Sequence, residues 1–241
     1  MKNSSWLLFL MTSYLITLGQ KETTLYLIAG HGSDHRVFQN MDFGDYDTVV
    51  IPFLVPTSGE SMTSYASRMA TKIDTSQPFA LVGVSIGGMV ATEIAEMTQA
   101  KALVLIASAK GRQDLPKRYR FQRSIPLYKL FSGQMLKRMT VMVQPWFEPG
   151  VKDYRQLCRA MVMDKPPKLT KRGIAMIINW TRNTPPQTVP TLHIHGPKDS
   201  TLPLRHIEGA TVLPEASHMM ALFMGEQVSQ LMLPFLDEHC D

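Results

Sequence analysis

Phe79-Ala80-Leu81-Val82-Gly83-Val84-Ser85-Ile86-Gly87 is the stretch on which the reading of the fold turns. Its first six residues, Phe79–Val84 (FALVGV), form a short apolar run after Pro78. Runs of this length and composition are buried strands of parallel sheets. From Ile86 the period changes. Ile86, Met89, Val90, Ile94 and Met97 recur at helical spacing, which predicts a helix over 86–97. Ser85 stands at the junction, at the centre of a G-x-S-x-G match. A bare match arises by chance in roughly one in ten chains of this length. One that leaves a strand and opens a helix is specific. A sharp strand-to-helix turn exposes the serine hydroxyl, and the backbone around it leaves no room for side chains at positions 83 and 87.

The same alternation of strand and helix extends in both directions. Further strands are predicted at 24–29 (TLYLIA), 47–53 (DTVVIPF), 102–107 (ALVLIA), Thr191–His195 (TLHIH) and 210–213 (ATVL), and further helices over 61–73 and 219–235. Buried strands alternating with helices predict an α/β fold: a mostly parallel sheet of about six strands with helices on both faces. Between the fourth and fifth strands about eighty residues carry no clear strand. Helical spacing over 119–136, 153–163 and 171–180, with Pro166 and Pro167 as a break, predicts a helical insertion over about 111–185. An insertion there would form a lid over the carboxyl edge of the sheet, where open α/β sheets bind ligands.

A serine hydroxyl is a weak nucleophile without a base. On a strand-turn-helix scaffold of this kind the partners follow along the chain in the order serine, acid, histidine. Asp199 lies just past the fifth strand, and His218 in the loop after the sixth. Both therefore reach the edge that carries Ser85. In these roles His218 takes the serine proton, and Asp199 orients the imidazole and stabilises its cation. Asp114, after the fourth strand, is a second candidate acid, although it sits far into the insertion. His193 and His195 read as structural residues of the fifth strand, and His35 and His206 as surface or loop residues. Asp34 reads as the cap of a short helix starting at His35.

Three signatures now stand in order: Ala29-Gly30-His31-Gly32, the turn at Ser85, and His195-Gly196-x-x-Asp199-x-x-x-Pro203, with His218 beyond them. In these the chain resembles the large α/β-hydrolase family of lidded esterases, lipases and related hydrolases, over nearly everything after Gln20. The resemblance implies an oxyanion hole made by the backbone N–H groups of His31 and Ile86, with no acid–base role for the His31 ring. It implies cleavage of a carboxylic ester or thioester through an acyl-enzyme on Ser85. Acyl transfer, peptide or carbon–carbon bond cleavage and perhydrolysis run on the same frame. Dehalogenases and epoxide hydrolases carry an aspartate at the turn, and Ser85 argues against both. Two departures point to a compact variant. No room remains before the first strand for the family's antiparallel pair, and the short 199–218 segment leaves little for the usual helix before the last strand.

The remaining features bound the setting. A chain of 241 residues, 44% hydrophobic and 19% charged, suits a single domain and excludes a disordered one. Lys2 and an apolar run from Trp6 to Leu18 read as a cleavable secretory signal over 1–20, which makes 21–241 the folded domain of a secreted or periplasmic protein. The run is short of the about 20 residues that span a bilayer, and a buried first helix and, after it, an uncleaved membrane anchor are the other readings. Cys158 and Cys240 have the spacing of neither a metal site nor a redox motif, and their pairing stays open. Asn179-Trp180-Thr181 fits a glycosylation acceptor, relevant only in a eukaryotic secretory host.

The net charge of +5 is unevenly spread. Residues 110–185 hold 17 Lys and Arg against 4 Asp and Glu, while the rest holds 8 against 16. This basic segment reads as a solvated helical surface or as a peripheral contact with an anionic membrane. Met135, Met139, Met142, Met161, Met163 and Met176 lie in it and suit either helix packing or an adaptable pocket for acyl groups. No metal, nucleotide or nucleic-acid motif is present, so the expected partner is a small ester or acyl substrate and no cofactor is expected. A small-ligand-binding protein on this fold, and an acyltransferase or lipase at a membrane surface, are the alternative readings.

Overall fold

The computed structural model describes residues 21–240, so the secretory signal expected over 1–20 lies outside the described residues. Six apolar runs pair into one sheet: β1 (Thr24–Ile28), β2 (Thr48–Val50), β3 (Phe79–Val84), β4 (Leu103–Ile106), β5 (Thr191–His195) and β6 (Thr211–Val212). Their order is β2-β1-β3-β4-β5-β6, and each pairing is parallel. Successive residues of a strand face opposite sides, so each strand feeds two cores. Leu25, Leu27, Val82, Val104 and Ile106 face the core closed by α7 (Met220–Phe223) and α8 (Gly225–Cys240). Tyr26, Ile28, Leu81, Leu103 and Leu105 face the core covered by α1 (Met62–Ala70) and α2 (Ile86–Ala95). Burial on both faces explains why β3 and β4 read as continuous apolar runs. The edge strands β2 and β6 are largely exposed and shorter than expected over 47–53 and 210–213. Pro52 and Pro214, which have no N–H to donate, follow them.

Between β4 and β5 the chain folds into α3 (Lys117–Ser124), α4 (Gly133–Phe147), α5 (Arg155–Asp164) and α6 (Pro167–Asn179). The single helix expected over 119–136 is in fact two. Pro126 ends the first, and a 3-10 turn, Leu127–Leu130, follows. Ser132 then caps α4 by accepting from Met135 N–H at 3.1 Å, and α4 runs on through Pro145. The break at Pro166-Pro167 stands as expected, with Pro167 opening α6. The terminal helix is also divided. α8 starts at Gly225, where a Cβ would lie 2.3 Å from Asn40 O, and continues past 235 to Cys240.

Much of the basic surplus ties this insertion down. Buried Lys137 donates to Met163 O (2.7 Å) and Lys165 O, closing the C-terminal end of α5. Arg172 donates to Pro56 O at 2.6 Å, and Arg118 to Ser200 O at 2.9 Å. Past α6, Trp180 Nε1–H (2.8 Å) and Arg182 Nε–H (3.1 Å) donate to Glu93, which is buried on α2. Both expected departures are seen among the described residues: the sheet has no antiparallel strand, and only a 3-10 turn, Leu204–His206, separates β5 from β6.

Candidate active site

The chain leaves β1 for β2 on one side of the sheet and proceeds from β3 to β4 on the other. The crevice beyond the carboxyl ends of β1 and β3 is therefore the topological switch point, the place where such sheets bind ligands. Ser85 follows β3 there with φ +55° and ψ −124°, backbone angles that cost a non-glycine residue about 1–3 kcal/mol. Surrounding bonds hold it. Ser85 N–H donates to Ile106 O at 3.0 Å, and its carbonyl accepts from Gly88 N–H (2.9 Å) and Ser108 Oγ–H (2.7 Å). Crowding accounts for the glycines. A Cβ on Gly87 would lie 2.1 Å from Ile28 O, and one on Gly83 2.4 Å from Gly88 Cα.

Asp199 is 2% exposed. Its Oδ1 accepts from the N–H groups of Thr201 (2.8 Å) and Leu202 (2.7 Å), which leaves Oδ2 for His218 Nδ1 at 2.7 Å. His218 Nε2 lies 3.0 Å from Ser85 Oγ. Serine, imidazole and carboxylate thus form one hydrogen-bonded chain contributed by the ends of β3, β5 and β6. Burial disfavours the His218 cation, but the Asp199 carboxylate, its hydrogen bond and the Glu148 charge outweigh it, so the pKa stands above 6.5. Burial likewise opposes the Asp199 charge, and the neighbouring imidazole with the Leu202 N–H overcomes it, leaving this pKa below the ordinary value.

The other candidates fall elsewhere. Asp114 is buried in a 3-10 turn, Arg112–Asp114, where it accepts from Lys110 N–H at 2.7 Å. His193 and His195 are buried in β5, as expected. Burial pushes His193 down to about 3, and His195 Nε2–H donates to Leu202 O at 2.7 Å beside Asp199. Asp34 caps the 3-10 turn His35–Phe38, accepting from Arg36 N–H at 3.1 Å.

His31 follows β1 on the far side of Ser85. The backbone approach is close here, since a Cβ on Gly30 would lie 3.3 Å from Ser85 Cβ. The His31 ring turns to the insertion and donates Nε2–H to Thr170 O of α6 at 2.9 Å. Ile86 opens α2, where a helix leaves its first N–H groups without intrahelical partners.

Ser85 and His218 open onto a cavity of about 530 Å³ roofed by the insertion, with Leu136, Met139, Val143 and Phe147 of α4 and Ile174 and Ile177 of α6 in its wall. The methionines divide. Met139 lines the cavity, Met161 and Met176 are buried in the cores, and Met135 and Met142 face solvent. Sequence reasoning missed Glu148, which lines this cavity at 4% exposure. Its Oε2 accepts from Met219 N–H at 3.4 Å, Oε1 has no hydrogen-bond partner, and burial raises its pKa. A signal was there: Glu148 is the one acidic residue between Asp114 and Asp153 in a strongly basic segment.

A serine on a strained turn at the switch point of a parallel sheet, under a helical insertion between β4 and β5, defines the architecture of the α/β hydrolases. The chain belongs to the alpha/beta hydrolase family, whose model matches residues 3–231. No curated protein sequence matches it. Similar solved structures include a hydrolase from Pseudomonas aeruginosa PA01 (17% identity, 89% of this chain and 90% of that one, TM-score 0.69). A thermophilic esterase from Thermogutta terrifontis shares 16% identity over 92% of each chain, with TM-score 0.65. MenH from S. aureus shares 16% identity over 92% of this chain and 96% of its own, with TM-score 0.63. At these identities the likeness is one of fold.

Proposed function

We propose that the protein is a serine hydrolase that cleaves a carboxylic ester or thioester through an acyl-enzyme on Ser85. The observation that carries this reading is the unbroken chain of Ser85 Oγ to His218 Nε2 (3.0 Å) and His218 Nδ1 to Asp199 Oδ2 (2.7 Å). With Nδ1–H held by the carboxylate, Nε2 presents a lone pair to the serine hydroxyl. His218 takes the Oγ proton as Oγ attacks the substrate carbonyl, then returns it to the leaving alcohol or thiol. Water repeats the sequence in reverse roles and frees the acid. The His31 and Ile86 N–H groups are assigned to the oxyanion, one such donor being worth about 10²–10³ in rate. The apolar cavity walls suit the hydrocarbon part of an acyl group.

The test is turnover of nitrophenyl esters of graded acyl length by the wild type and Ser85→Ala together, with fluorophosphonate labelling as the covalent readout. Turnover and labelling lost only in Ser85→Ala support the reading. Folded wild type that neither turns over any ester nor takes a label would mark a ligand-binding protein on this scaffold. Export is a separate proposal from residues 1–20. It predicts that the protein recovered outside the cytoplasm begins near Gly19 to Lys21 by N-terminal sequencing.

A further inference from the structure

Twelve large hydrophobic residues are well exposed on the described surface, and eight of them fall within 121–147. Four, Phe121, Ile125, Leu127 and Leu130, flank or occupy the 3-10 turn Leu127–Leu130. The rest belong to α4. On that helix Met135, Arg138, Met142 and Trp146 are exposed at spacings of three and four, so they form one stripe, with Trp146 78% exposed. The opposite face of α4 lines the catalytic cavity. The helix is thus apolar on both sides, and its outer apolar side has no partner among the described residues. Contiguous surface of this kind marks an interaction site.

Two observations indicate what meets it. One is charge. Residues 115–147 carry six exposed Lys and Arg, with Lys137 alone buried, and no Asp or Glu. Between α4 and α5 lies a groove of about 240 Å³ with Met142, Pro145 and Val151 in its wall and Arg155 and Arg159 at its side. These two arginines stand one helical turn apart on α5, are exposed, and have no acidic partner among the described residues. The other is continuity. Leu127 and Phe147 are 48% and 50% exposed, yet both line the cavity that holds Ser85, so the outer apolar surface runs into its mouth. A protein partner would need an acidic apolar face of matching shape. A bilayer of anionic lipid supplies phosphates above hydrocarbon everywhere.

We propose that the outer face of α4, with the α4/α5 groove, docks on an anionic lipid bilayer. Met142 and Trp146 enter the interface, and Arg138, Arg155 and Arg159 meet headgroup phosphates. A tryptophan at the headgroup level and basic residues beside an apolar stripe are the elements of such a surface. This inference does not rest on the hydrolase reading, since none of these residues belongs to the Ser85 chain.

The test is flotation of the full-length Ser85→Ala protein with vesicles of phosphatidylcholine alone and of phosphatidylcholine with an equal amount of phosphatidylglycerol. Binding is expected to the mixed vesicles, to weaken with added salt, and to be slight on phosphatidylcholine. Each arginine near the surface contributes about fivefold, so Arg155→Gln with Arg159→Gln should lower partitioning roughly 25-fold. Tryptophan emission should shift to the blue on binding, and Trp146→Phe should reduce the shift. Melting curves for each variant verify folding apart from docking. Equal binding to both vesicles, no binding, or binding indifferent to these substitutions would overturn the proposal. So would a concentration-dependent dimer that Trp146→Ala dissolves, since a second copy would then cover the face.

Discussion

Replacing Asp199 by asparagine changes one atom in size and shape, yet the bonds around it turn that change into a specific defect. Oδ1 accepts two backbone N–H groups, from Thr201 at 2.8 Å and Leu202 at 2.7 Å. An amide nitrogen placed there would face two donors, so the asparagine oxygen must occupy that position. The NH₂ group then takes the place of Oδ2, 2.7 Å from His218 Nδ1. Facing a donor, Nδ1 must become the acceptor, and the proton moves to Nε2, which points at Ser85 Oγ. An imidazole in that tautomer cannot accept the serine proton. The analogous change in a serine protease lowers kcat about 10⁴-fold, or about 5 kcal/mol of barrier. Both backbone bonds survive, but the NH₂ also faces His195 Nε2 at 3.3 Å, so the loss of stability should be about 1–3 kcal/mol. The assay is kcat on a short nitrophenyl ester, with a thermal melt of the same preparation. A variant within tenfold of wild type would refute the tautomer argument. If Asp114→Asn were inactive while Asp199→Asn worked, the acid would be Asp114.

Four further outcomes are expected. Because His218 works as a base only when neutral, kcat/KM should rise with pH through a midpoint above 6.5, and measurement across pH 5–9 checks it. The same raised pKa means the native state holds a proton that the unfolded chain has released. The stability from His218 is therefore full below 6.5 and lost as pH climbs through the higher native value, which denaturant titrations at several pH values read directly. Gly87→Ala drives a methyl against Ile28 O and Ala29 O, at 2.1 and 2.3 Å, and should cost about 3 kcal/mol or leave the protein insoluble, as a melt or a solubility assay would record. Glu93→Ala strips the acceptor from Trp180 and Arg182, with Glu96 still 3.7 Å from Arg182. A loss of about 3 kcal/mol, or roughly 6–12 °C in Tm, is expected by calorimetry.

The readability of the chain follows the range of the interactions involved. The turn at Ser85 was legible because its requirements are local. A buried strand, a change of period and two glycines lie within nine residues, and backbone crowding forces each of them. The strand ends that carry Asp199 and His218 were legible for the same reason. The helical insertion was legible only as helical. Its periodicity passed over Pro126, and the extent of α4 through Pro145 depends on packing against α5 and α6, which no local pattern encodes. The division at Gly225 is similar, set by the approach of Asn40, 185 positions away in sequence.

The sequence by itself determined the α/β class, the parallel sheet, the strained serine turn and the chain order of the candidate serine, acid and base. Period and glycine placement are written in neighbouring residues. Sequence position ranked Asp199 ahead of Asp114, and the tertiary structure shows that Asp199 reaches His218. Asp114 and Asp199 both follow sheet strands, and only the spatial order β4-β5-β6 sets one beside the imidazole and buries the other against Lys110. It alone brought Glu148 to the cavity and turned half of α4's apolar residues outward, because burial is settled by what lies opposite a residue in space.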